Sequence, residues 1–400
     1  MSKNLKINEK TQNFLEDFNK FIKYVVENQV TISNKNKFIS PKHLFEMNKL
    51  MKEQAENVTE RNTQLFYPLL HLFTNIATAG KVFIEEPIKG SKILLKPTEK
   101  IEKFQGLNET EKFIYLLQVL WVDCDFEKLR YQTYDQLNAI HIHEFFKRIA
   151  EEEPNKVISF DYYISFFSTM LLYFKFFGLL EIKSTDTICK EPKVREFIPK
   201  EIVINPLGIE IIKVLASERN LEQWNIPNRR ELGYWKEDFK EEFYLPFKKL
   251  FEPGELEKTL PRQSNDFNNG VYIFKVSLSR GKWGKLQLSA YNTLEDLHNL
   301  IQRAFDFDND HLYSFFMDGV PWSNYRFRCP YEDEGPHTDE AKIGDFGLAE
   351  NQRFLYLFDY GDEWRFEVQV ESITKNEKVA ALPQIIEFKG RKPSQYSWQE

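Results

Sequence analysis

Cysteine is scarce in this chain. Cys124, Cys189 and Cys329 are far apart, odd in number and free of any C-x-x-C spacing. That excludes a disulfide framework and a zinc ribbon, and it suits a reducing compartment, so a cytoplasmic protein is expected. Long apolar runs are missing too. The strongly apolar, uncharged run Tyr162 to Phe174 falls short of the roughly 18 residues a membrane span needs. The amino terminus, Met1-Ser-Lys-Asn-Leu-Lys-Ile7, lacks the apolar core of a signal peptide, so no membrane partner is expected. Positive charge is not in excess: the formal net charge is −7. Any binding to nucleic acid must therefore rest on a local basic patch. Walker, G-x-G-x-x-G and G-x-S-x-G motifs are absent, which leaves nucleotide and α/β-hydrolase chemistry without a handle. No cofactor is called for.

Aromatic residues are abundant, with 36 Phe and 18 Tyr in 400 residues. Large cores or aromatic contact surfaces follow. The length exceeds what one core usually serves, so two domains are expected. Phe14, Phe18, Phe21, Ile22 and Val25 recur at helical spacing, and Ser40-Pro41 is a helix start. Between about Gln64 and Leu215 one order of elements occurs twice. A helix around Phe66–Ile76 leads to strands at 81–84 and 93–98, then a helix. A helix over Phe160–Phe177 leads to a strand at 179–182, a polar loop over 183–200, a strand at Ile202 and a helix at Ile209–Leu215. Helix, strand, loop, strand and proline-started helix is a winged-helix-like pattern. A mainly helical domain over 1–251, built of up to two winged-helix-like units, is the expectation. The turn-rich, polar stretch 252–269 is expected to be a linker.

The last domain, 270–400, alternates as strands at Tyr272–Leu278 and Trp283–Leu288. A helix follows with Thr293 as cap and Asp296 three residues on. A strand at His311–Met317 comes next, then an irregular insert, then two apolar runs flanking Asp359-Tyr-Gly-Asp362. The second run puts Trp364, Phe366, Val368 and Val370 on one face, and Asp and Gly suit a hairpin turn. Hairpin, helix and further strands make an α+β domain with the helix across one sheet face, β-grasp-like in outline.

Several separated motifs here resemble the plasmid pRiA4b ORF-three-like family. They are Leu297-His298, Ile301-Gln302 and Ala304-Phe305, then His311-Leu312 with Phe315, then Asp359-Tyr-Gly-Asp362 with Trp364. The closing Leu382-Pro-Gln, Lys389-Gly390 and Pro393-x-Gln395-Tyr396 are also similar to the end of that domain. Two positions depart from the family pattern: Trp283-Gly284-Lys285 stands where many members have Trp-Arg-Arg, and Phe366 stands where they often carry His. The resemblance implies the fold of residues 270–400 but no established activity, and it suggests a link to mobile elements.

His298, Gln302, His311, Asp359, Asp362 and Trp364 are the family-motif residues that could form a binding site. His with carboxylates is a feasible zinc or manganese set. The alternative is that the histidines lie at a helix edge and a strand start, the aspartates hold the turn and Trp364 is core. His141-Ile-His143 places its two imidazoles on different helix faces, which does not suit a metal. Residues 326–363 carry ten acidic and four basic side chains, a solvated loop or an acidic face for a basic protein partner. The loop expected over 183–200 holds Lys190, Lys193 and Arg195. Three function classes follow. The first is a non-catalytic interaction or regulatory protein with an unknown protein partner, the second a DNA-binding regulator acting through the N-terminal domain, and the third a metal-dependent enzyme.

Overall fold

The computed structural model describes residues 4–88, 92–131, 139–160, 167–191, 194–234, 239–262, 267–374 and 383–396. Side chains within 186–197 lie outside the described residues, and with them the expected basic loop of Lys190, Lys193 and Arg195. The protein mixes helices and strands in an α+β fold. It divides into two units, residues 1–228 with 238–262, and residues 229–237 with 263–400.

The first unit begins with α1 (Glu9–Glu27), in which Phe14, Phe18, Phe21, Ile22 and Val25 all lie at 3% exposure or less. Asn8 caps it by accepting from the Thr11 amide. After β1 (Thr31–Ser33), α2 (Pro41–Leu50) starts at the expected proline. α3 (Pro68–Ala79), β2 (Phe83–Pro87) and β3 (Lys92–Pro97) follow, and the sheet runs β1-β3-β2. α4 (Lys100–Gln105), α5 (Glu109–Gln118), α6 (Phe126–Leu129) and α7 (Ala139–Ala150) lead to a second such arrangement. There β4 (Val157–Ser159), α8 (Ser168–Phe176), β5 (Leu180–Glu191) and β6 (Val194–Ile204) give a sheet in the order β4-β6-β5. The polar loop expected over 183–200 is a paired hairpin for most of that length, with Thr185 opposite Pro199 and Thr187 opposite Phe197. Threonine and isoleucine there supply strand propensity that the lysines obscured. α9 (Pro206–Ser217), α10 (Leu221–Trp224) and α11 (Ile226–Glu231) follow, and a 3-10 helix over Leu245–Leu250 comes before residue 262.

α3 and α8 are covered along their whole length: every residue of both is buried or half-buried. The end of α8 is a junction. Gly178, at φ +75°, turns the chain. Its carbonyl accepts from the Asn8 side chain at 2.7 Å and the Asn205 side chain at 2.7 Å, so one oxygen joins the caps of α1 and α9. The segment after 252 differs from the expected linker. Leu256 and Leu260 are 2% and 6% exposed, Thr259 donates to Gln118 at 2.9 Å, and Arg262 pairs with Asp123. Two leucines four residues apart are a weak signal among turn residues, which is why the pattern hid them.

The second unit is built on one antiparallel sheet, in the order β10-β9-β11-β12-β7-β8-β13. Its strands are β7 (Val271–Ser279), β8 (Lys282–Ser289), β9 (Tyr313–Phe316), β10 (Arg326–Arg328), β11 (Arg353–Phe358), β12 (Trp364–Thr374) and β13 (Gln384–Lys389). The last of these was not anticipated, because its residues are mostly exposed and show no clean alternation. α12 (Leu294–Phe305) starts with the expected capping box between Thr293 and Asp296. It lays Leu294, Leu297, Ile301 and Phe305 on the sheet face made by Tyr272, Phe274, Val276, Phe366 and Val368. His311 lies before β9, which starts at Tyr313, and does not begin the strand itself. Among the described residues, no helix is long and apolar enough to cross a membrane.

Candidate functional site

The family-motif residues fall into two groups. The first centres on His298, which α12 points into the core at 1% exposure. Its ring stacks on Tyr313, with centroids 3.5 Å apart and planes 2° apart. Nδ1 meets the Tyr356 hydroxyl at 2.7 Å and Nε2 meets Asn309 Oδ1 at 2.8 Å. Gln302 Nε2 donates to the same Tyr356 hydroxyl at 2.7 Å. These partners fix the proton positions. Asn309 Oδ1 can only accept, so His298 Nε2 carries the hydrogen. Tyr356 accepts from Gln302 and donates to Nδ1, and burial keeps its pKa well above the ordinary value.

Burial likewise pushes His298 down to about 4, with the Asn309 contact opposing it. The imidazole is neutral, and both nitrogens are occupied. This gives a pH prediction with a definite sign. As pH falls, the unfolded chain takes up its histidine proton near 6.5 while the folded one resists until about 4. The stabilisation is therefore complete above pH 6.5 and is lost as pH falls toward 4. The gap corresponds to about 3 kcal/mol. Urea denaturation followed by hydrogen exchange of the β11 and β12 amides should show this loss, and His298→Gln should flatten it. An unchanged pH slope in the variant would remove His298 as its source.

The second group lies at the hairpin turn. His311 Nε2 is 3.5 Å from an Asp310 oxygen and 3.6 Å from an Asp359 oxygen, longer than ordinary hydrogen bonds. Asp359 adopts φ +58°, and its side chain accepts from the Gly361 amide at 2.9 Å, the turn-holding role an Asx residue plays. Asp362 is exposed. Trp364 is half-buried, its ring 5.0 Å from Phe307 at 69°. His298 and His311 share Phe358 as a ring neighbour, at 6.2 and 5.9 Å. Among the described residues no group of three or more His, Cys, Asp or Glu is placed to hold a metal ion. His141 and His143 sit on α7 in different surroundings, the first exposed and the second half-buried.

Residues that the sequence did not single out complete the picture. Tyr356 and Tyr313 carry the His298 network, and the one available signal was a tyrosine at an inward position of an otherwise apolar strand. Gln395 accepts from the Asp308 amide and donates to Asp310 Oδ1 at 3.2 Å, so the closing Pro-x-Gln-Tyr motif fastens the loop before β9. Arg328, almost buried, organises the acidic insert: it lies 3.6 Å from Glu332 and 3.5 Å from Glu334, and donates to the carbonyls of Glu334 and Gly335. Around that hub, Tyr331 is 86% and Trp322 43% exposed, and Asp333 and Glu334 face solvent.

Residues 270–395 match the family model described as plasmid pRiA4b ORF-3-like protein. A curated relative, the uncharacterized protein y4hQ of Sinorhizobium fredii (strain NBRC 101917 / NGR234), is 32% identical over 85 residues, which is 20% of this chain and 40% of the relative. The chain thus spans less than half the length of that protein. Among solved structures, the protein of unknown function MM3350 from Methanosarcina mazei Go1 is similar at 27% identity and a TM-score of 0.26, over 30% of this chain and 69% of that one.

Proposed function

We propose that this chain, with a plasmid pRiA4b ORF-3-like domain in its second unit, is a non-catalytic interaction protein whose acidic insert docks a basic protein segment. The observation that carries this reading is the closed state of the His298 network. An acid–base catalyst needs a free ring nitrogen near substrate; both nitrogens here are engaged and the ring is buried and neutral. The chemistry left at the surface is acidic and aromatic, with Tyr331, Trp322, Asp333 and Glu334 around the Arg328 hub. Exposed aromatics flanked by one sign of charge suit recognition of an oppositely charged segment. Isothermal titration with a lysine-rich peptide tests it. Tyr331→Ala combined with Asp333→Asn should weaken binding by roughly tenfold. Absent binding, or binding untouched by the double change, would sink the reading.

A second reading, DNA regulation through winged-helix-like units, is favoured by one observation. Both three-stranded sheets pair the first strand with the last strand of the following hairpin, and a helix precedes each hairpin. The same helices weigh against it. α3 and α8, which would have to enter a groove, offer no exposed residue, and Lys175 on α8 pairs with Glu53. Duplex binding by the whole chain with a log–log salt slope of about −0.9 per phosphate, reduced by Lys190, Lys193 and Arg195 to Ala, would promote this reading. A β-grasp-like description of the second unit rests on α12 crossing one face of its sheet.

The domain boundary is also a proposal. The burial of Leu256 and Leu260 supports a boundary just after Arg262 in place of the expected 252. Limited proteolysis should cut within 263–269, where the sequence is polar, and leave 252–260 intact. Cleavage between Glu252 and Leu260 would return the boundary to its earlier place.

A further inference from the structure

The sheet of the second unit has a solvent face opposite α12, and its corner at β7, β8 and β13 differs from the rest of this acidic chain. Strand alternation sets the side chains. A Cβ on Gly284 would lie 3.7 Å from Ala304 Cβ, so Gly284 faces α12, and its neighbours Trp283 and Lys285 point away. Phe388 packs 5.2 Å from Phe305, so Lys389 also points away, as does Lys275 between the buried Phe274 and Val276. Trp283 stands opposite Ser277 on one side and Lys389 on the other. Three ammonium groups converge on its ring: Lys275 at 4.7 Å, Lys285 at 5.8 Å and Lys389 at 5.8 Å from the centroid. Further cations flank it. Arg280 lies in the β7–β8 turn, and a Cβ on Gly390 would lie 2.5 Å from the Gly281 carbonyl oxygen, so the backbone leading to Arg391 runs beside that turn. Lys285 is paired with Glu371 at 2.8 Å. Among the described residues, Lys275, Arg280, Lys282, Lys389 and Arg391 have no carboxylate within ion-pair distance.

We infer that this corner binds single-stranded nucleic acid, with an unpaired base stacking on Trp283 and backbone phosphates meeting the surrounding lysines and arginines. Cations alone would suit any polyanion. A ring at their centre, on the sheet's solvent face, adds a surface for bases that are not already stacked in a duplex. The exposed cation–π contacts now covering the ring are weaker than base–aromatic stacking, so a base displaces the ammonium groups toward its own phosphates. The insert that carries the acidic-face proposal uses other residues, so either proposal can fail alone.

The test uses the full chain and fluorescence anisotropy with a labelled short oligothymidylate, its duplex counterpart, and an oligoglutamate peptide as competitor. Single-strand binding is expected to fall with salt and to exceed duplex binding. Trp283→Ala should weaken it about tenfold or more, while Trp283→Phe retains most of it, because stacking needs a π face. Lys275→Gln and Lys389→Gln should each reduce the salt slope by about 0.7. Circular dichroism melting of each variant separates lost binding from lost fold, and the Phe variant keeps the test open if the Ala variant melts early. No binding at low salt, equal affinity for duplex, effective competition by oligoglutamate, or indifference to Trp283→Ala in a folded protein would each overturn the inference.

Discussion

Gly208→Ala is expected to destabilise the first unit by about 2 kcal/mol, despite replacing glycine with the best helix former. Gly208 is in the first turn of α9, where its amide donates to the capping Asn205 side chain at 2.9 Å. A methyl group there would lie 2.0 Å from the Leu179 carbonyl oxygen and 2.8 Å from Ile204 Cγ2. The obstacle is backbone, which cannot swing aside as a side chain would. Helix propensity favours Ala by about 1 kcal/mol, while forcing packed elements apart costs typically 1–3 kcal/mol and sometimes more. The second term wins here because the same close approach holds the junction at Gly178, where the caps of α1 and α9 share one carbonyl. Thermal denaturation measures the effect. An unchanged or raised melting temperature would show that α9 does not approach Leu179 this closely.

In the second unit, Phe366→Ala should cost about 3–5 kcal/mol. Phe366 is fully buried and sits among Phe305 at 4.9 Å, Tyr356 at 5.5 Å and Phe307 at 6.0 Å. Those rings come from α12, the turn after it and β11, so the cavity left by the missing ring on β12 would loosen the contact between helix and sheet. It would also remove the wall beside Tyr356, on which the His298 network depends. Near-ultraviolet circular dichroism and urea denaturation report the loss. A cost below about 1 kcal/mol would mean that the surrounding aromatics collapse into the space, and that the core is more adaptable than its close ring contacts indicate.

Phe366 also shows how much of the site was legible. The family pattern often has His at this position, and the phenylalanine was readable in the sequence as a departure. That the position is core, sealed by three rings, came from packing. His298 and Gln302 were readable as motif residues, but their shared partner was not. Tyr356 is 54 residues from Gln302, and no local pattern connects them. Asp359 was placed at a turn by chemistry alone, since Asp before Tyr-Gly suits a positive φ, and it adopts +58°. His311, its companion in the motif, was expected at a strand start and lies before it, because strand ends depend on pairing partners that a single strand does not reveal.

By itself the sequence determined what is local or periodic. The face of α1, the capping box of α12, the alternation of β7 and β12 and the hairpin turn at Asp359 each follow from side-chain spacing within one element. Only the tertiary structure decided which elements meet. It left no exposed residue on α3 and α8, drew Leu256 and Leu260 into the first unit, and paired β8 with β13 so that Lys275, Lys285 and Lys389 gather on Trp283. The physical reason is that burial and charge are properties of neighbourhoods. A lysine on a strand has the same propensity wherever it lies, and whether it becomes part of a patch depends on the side chains that three separate strands bring beside it.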